Sequence, residues 1–95
     1  MMATPALIKL TGDLDIYHVP ELEAALSAIG AGDVIDLSTV RFIDAAAIGI
    51  FVRLARRAGL SSVTLVVPPG PVRKTFELVL VNKLFTIVDT YNNGA

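Results

Sequence analysis

Apolar residues along this chain switch between a two-residue and a three-to-four-residue period, and each switch predicts an element. Ala6 to Thr11, ALIKLT, alternates as a strand, and Gly12 with Asp13 marks a break after it. Leu22, Ala25, Leu26 and Ile29 then recur at helical spacing, which predicts a helix over Pro20 to Ile29. Pro20 suits its first turn, and Glu21 and Glu23 suit its positive end. Val34 to Leu37 is a short apolar strand interrupted by Asp36, after which Ser38 and Thr39 begin a loop. Asp44 is a good N-cap for the next helix. On that helix Ile48, Phe51, Val52, Ala55 and Ala58 share one side, while Arg53, Arg56 and Arg57 share the other. Such a split describes a surface helix lying on a sheet, and Gly59 offers a left-handed end to it. Val63 to Val67 is a β-branched strand stopped by Pro68 and Pro69. A third helix runs from Pro71 to about Val79, with Val72, Thr75, Phe76 and Val79 inward. Phe85 to Val88 is a last short strand, and Tyr91 to Ala95 reads as a frayed tail.

Strands alternating with helices over short connections predict an α/β fold, with right-handed crossovers and a parallel sheet. The chain has 95 residues and no internal repeat, so residues 1–95 are expected to form a single domain. Hydrophobic residues make up 54% of it, and the mean hydropathy is +0.67. The longest unbroken apolar or glycine run, Ala45 to Val52, falls well short of the roughly 20 residues of a membrane span. The apolar excess fits strands buried on both faces, and it also leaves surface for a partner. No secretory signal precedes the first strand, which predicts a cytoplasmic protein.

The chain has no cysteine, which removes disulfides, thiolate catalysis and cysteine metal sites. The net charge is −1, so no global field draws nucleic acid or anionic lipid. Arg41, Arg53, Arg56, Arg57, Arg73 and Lys74 form a basic stripe with no interleaved aromatics, and it reads as a solvated surface. His18 is the single histidine and supports neither a catalytic triad nor a zinc site. PPGPVRKT, Pro68 to Thr75, lacks the glycine spacing of a phosphate loop. Asp13, Asp15 and Asp44 follow the first two strands and could meet at one sheet edge, where a Mg²⁺ ion would need carboxylates. Turn and capping roles account for them more simply, as local backbone bonding accounts for the Ser38 and Thr39 hydroxyls. No enzyme, metal or cofactor is therefore expected.

The segment Val34 to Gly59, VIDLSTVRFIDAAAIGIFVRLARRAG, resembles the signature of STAS domains, best known from bacterial anti-sigma factor antagonists. The family reads roughly Asp-Leu-Ser-Gly-Val-x-Phe-Ile-Asp-Ser-Ser-Gly-Leu-Gly. Here Asp36, Leu37, Ser38, Val40, Phe42, Ile43, Asp44 and Gly49 match, while Ala45 and Ala46 replace both serines. LTGDLDI at Leu10 to Ile16 looks like the family's Leu-x-Gly-Glu-Leu-Asp, and Pro69 to Ile87 resembles its third-helix region. The resemblance implies a sheet of about four strands, mostly parallel, with three to four helices. It implies a partner-binding surface at Gly12, Asp15, Asp44, Ala45, Ala46 and Ile48. The family's phosphoacceptor, whose phosphate switches partner binding off, corresponds to Ala45, which has no hydroxyl.

Three departures accompany the resemblance. Only Met1 to Pro5 precede the first strand, where the family usually has a further strand. Asp89 to Ala95 is short for the family's last helix, and Leu80 stands where the family has a helix-ending glycine. The first two predict exposed sheet edge and apolar surface, buried in a homodimer by edge pairing or swapping. The expected role is protein binding. Its partner is either an ATP-binding, serine-kinase-type anti-sigma factor or the ATPase of a membrane lipid transporter. Any ATP would belong to the partner. A small-ligand or nucleotide module at the same edge is the remaining alternative.

Overall fold

Each pair of neighbouring strands in the sequence is also a neighbouring pair in space. In the computed structural model, which describes residues 5–78 and 83–91, four parallel strands form one sheet in the order β1-β2-β3-β4. They are β1 (Leu7–Leu14), β2 (Val34–Ile43), β3 (Thr64–Val66) and β4 (Thr86–Val88). Helix α1 (Val19–Leu26) joins β1 to β2, α2 (Ala45–Ala58) joins β2 to β3, and α3 (Pro71–Leu78) joins β3 to β4. A short 3-10 helix over Ile16–His18 precedes α1. The α/β class and the parallel sheet expected from the alternation are both present.

The core follows from strand register. Ile8, Ile35, Leu65 and Ile87 lie side by side across the four strands. They pack in one cluster with Leu22 and Leu26 of α1, Phe51 and Leu54 of α2, and Val72 and Phe76 of α3. At its centre the Phe51 ring meets Phe76 at 5.5 Å and Phe85 at 6.1 Å, both edge-on. That is the favoured arrangement of aromatic quadrupoles. The rows on either side of it, Leu7–Val34–Thr64–Thr86 and Lys9–Asp36–Val66–Val88, belong to the opposite face of the sheet. Val34 and Val66 on those rows are buried but stand apart from the helix-covered cluster.

Several elements differ from expectation. β1 does not break at Gly12 and Asp13; it continues to Leu14, with Gly12 at φ +78° absorbing a change of register. β2 does not end at Leu37 but runs on to Ile43. Its ten residues pair with the eight of β1 through two irregularities, one between Lys9 and Thr11 and one between Gly12 and Asp13. The extra residues are in β2, and they return Val40 and Ile43 to the core after the polar Ser38 and Thr39. Ser38 and Thr39 are therefore strand residues, not the start of a loop. α1 ends at Leu26, although Ile29 beyond it is still buried. Val79 and Leu80, where α3 was expected to end, and the tail beyond Tyr91 lie outside the described residues.

Phe51 is fully buried and touches both other core rings. Phe51→Ala is expected to cost about 3–5 kcal/mol in urea unfolding, and a loss below about 1 kcal/mol would contradict this packing.

Candidate functional site

Leu14 and Ile43 are register partners, so β1 and β2 end together and the residues after them share one rim of the sheet. Asp44 is the hub of that rim. Its extended backbone makes it the N-cap of α2. One carboxylate oxygen accepts from the Ala47 amide at 3.1 Å, and the other accepts from the Ile16 amide at 3.0 Å. Its own amide donates to the Leu14 carbonyl at 3.1 Å, while its carbonyl accepts the first helical bond from Ile48 at 3.0 Å. One residue thus ties the end of β1, the 3-10 helix and the start of α2. The negative carboxylate also sits at the positive end of the helix.

Asp15 organises the neighbouring turn. Its carboxylate accepts from the Tyr17 amide at 3.0 Å and lies 2.7 Å from His18 Nδ1. Gly12 is half-buried in β1, on the approach to the rim. Ala45 is exposed and Ala46 half-buried at the first turn of α2. Ile48 departs from expectation: it is 8% exposed and belongs to the core, so it supports the rim from beneath.

The carboxylates do not meet as a trio. Asp15 and Asp44 are linked through the backbone of the turn. Asp13 precedes the buried Leu14 in the strand, is exposed, and pairs with Arg41 at 3.5 Å. No group of three acidic or histidine side chains suited to a metal occurs among the described residues. Ser38 and Thr39 lie along β2 away from the rim. The Ser38 amide donates to Asp36 at 2.8 Å, and the Thr39 hydroxyl donates to the Leu10 carbonyl at 3.3 Å.

The basic stripe is more than a solvated face. Arg57 donates to the carbonyls of Leu26 at 3.0 Å and Ile29 at 2.8 Å, at and beyond the end of α1, and the Leu26 carbonyl also accepts from the Ile29 amide at 3.1 Å. Arg53 pairs with Glu23 at 3.5 Å, and Arg73 engages the Val67 carbonyl, Glu77 and Asp89. Most of these guanidinium groups serve the fold.

Sequence reasoning missed the apolar part of the rim. Ile16 is 62% exposed and Tyr17 is 85% exposed, in the turn that Asp15 and Asp44 hold. Phe42, two residues before Asp44, is 50% exposed. The signal was present: two large apolar residues between an aspartate and the His18-Val19-Pro20 helix start, off any helical or strand period. Apolar groups beside a polar, preorganised turn have the composition of a contact surface.

The family model described as "Mlab, STAS domain" matches residues 3–89. No curated protein sequence matches the chain. Among solved structures, the anti-sigma factor antagonist SpoIIAA in its unphosphorylated form is similar with a TM-score of 0.60 and 20% identity. That likeness covers 96% of this chain and 86% of that one, and it concerns the fold. No helix among the described residues is long and apolar enough to cross a membrane.

Asp44→Ala removes both carboxylate bonds and is expected to cost about 1–2 kcal/mol in urea unfolding. Asp44→Asn keeps one acceptor oxygen, so it should fall between the two. An alanine variant as stable as the parent would contradict the cap.

Proposed function

The chain belongs to the STAS domain family, and on that premise we propose that it acts by binding a protein at the rim formed by Asp15, Ile16, Tyr17, Asp44, Ala45 and Ala46. The observation that carries this reading is the pairing of exposed Ile16 and Tyr17 with a helix start fixed by Asp44. The aromatic supplies contact area at low entropic cost, and the capped turn keeps it in position. The domain itself performs no catalysis in this reading and works in the bacterial cytoplasm.

The partner of the favoured reading is an anti-sigma factor of the ATP-binding serine-kinase type. Holding that factor would free a sigma factor for transcription. Phosphate at position 45 would add about −1.5 to −2 charges beside Asp44 and repel such a partner. Ala45 offers no hydroxyl, so the domain would stay in its binding state. A second reading, an accessory subunit of a membrane lipid-transport ATPase, draws on the same Ala45 and Ala46, because a static subunit has no need of a phosphoacceptor. Either way the nucleotide belongs to the partner.

Affinity capture from the native cells, with identification by mass spectrometry, separates the two: a kinase-like anti-sigma factor or a transport ATPase. Capture of neither would end both readings. Tyr17→Ala and Ala45→Asp should each weaken the captured complex by about tenfold or more. Unchanged affinity in both would move the docking surface elsewhere. Ala45→Ser should take up phosphate from a kinase-type partner and then release it; no uptake would favour the transporter reading.

A further inference from the structure

A second, independent surface lies on the other side of the sheet's first strand, away from the rim. β1 is eight residues long, and among the described residues it pairs with β2 alone. A long strand with an open border is a template for another strand. The Ala6 and Leu14 carbonyls accept from the Val34 and Asp44 amides. Even-numbered positions thus turn their backbone groups toward β2, and Leu7, Lys9, Thr11 and Asp13 turn theirs outward. The inserted residues that disturb the β1–β2 ladder belong to β2; Gly12 departs from extended backbone at φ +78°, but the Ala6 and Leu14 carbonyls on either side of it both face β2, so the alternation resumes past it.

From this border we propose that β1 pairs antiparallel with β1 of a second copy of this chain, about a twofold axis at Thr11. In that register Thr11 faces Thr11, and Lys9 of each copy faces Asp13 of the other. Two opposite-charge cross-strand pairs result. Within Leu7–Leu14 this register alone sets Lys9 opposite Asp13; centring on Lys9 or on Asp13 would oppose like charges. Lys9 has no ion pair among the described residues, and Asp13 has one exposed contact, to Arg41 at 3.5 Å.

The helix-side residues agree with the same register. Ile8 falls opposite Leu14, and Leu10 falls opposite Gly12, which has no side chain to obstruct it at that close approach. Ile8 and Leu10 are only partly buried at the margin of the core. Beside them a groove of about 270 Å³ between β1 and α1 has Leu10, Leu14 and Leu22 in its lining together with the charged Lys9, Asp13 and Glu21. A paired strand would continue the sheet past that margin. A partner of unrelated sequence gains nothing from the symmetry of the Lys9–Asp13 spacing, which is why the occupant is a second copy. Because the two β1 strands would run in opposite directions, the two rims would face opposite ends of an eight-stranded sheet. This pairing does not depend on what binds at the rim.

Sedimentation equilibrium of the full chain, from micromolar to hundreds of micromolar, tests it. The parent is expected to be a reversible dimer. Thr11→Pro removes an outward amide and leaves the β2 ladder intact, so it should give a folded monomer by circular dichroism. Lys9→Asp should weaken the dimer by roughly tenfold or more, and adding Asp13→Lys to it should restore the parent's affinity. A parent that stays monomeric throughout overturns the proposal, whatever else it binds. So does a dimer indifferent to Thr11→Pro and Lys9→Asp, or a charge-swapped double variant no tighter than Lys9→Asp alone.

Discussion

A single carboxylate serving two backbone amides from different elements is the interaction on which the candidate site depends. Asp44 satisfies the Ala47 amide of α2 and the Ile16 amide of the 3-10 helix at once. Without it, α2 would begin with an unpaired first turn, and the turn after β1 would lose its tie to the helix. Each bond is modest, on the order of 1 kcal/mol net. Their importance is geometric, because they hold Ile16, Tyr17 and Ala45 in one arrangement before any partner arrives.

That arrangement needs a fixed base, and the core supplies it. α2 buries Ala47, Ile48, Ile50, Phe51, Leu54 and Ala55. Phe51 locks it against α3 through Phe76, and against the residue before β4 through Phe85. Arg57, near the other end of α2, reaches across to the carbonyls that follow α1. The helix that presents Ala45 is therefore fastened along its length. The exposed apolar residues stand on its border, as binding residues commonly stand on loops held by a rigid scaffold.

Local signals in the sequence carried much of this. An aspartate before an alanine-rich helical period announced the Asp44 cap, and a β-branched run announced β3. What the sequence hid was long-range. Ser38, Thr39 and Arg41 break the apolar run of β2, and the strand continues through them by pairing with β1 across two shifts of register. Arg57 looked like one of several solvated cations because its acceptors, Leu26 and Ile29, are about thirty positions away in the chain. Ile48 has the helical phase of a core residue, and the family resemblance drew it to the surface instead. Ile16 and Tyr17 belong to no period, so periodicity could not flag them; their exposure had to be seen.

Amide hydrogen exchange at the rim tests the account most directly. The Ile16 and Ala47 amides should exchange slowly in the parent protein. Both should accelerate together in Asp44→Ala, while the Ile35 amide in the centre of the sheet stays protected. An Ile16 amide that exchanges freely in the parent, or one indifferent to the loss of the Asp44 carboxylate, would contradict the claim that this side chain holds the site together.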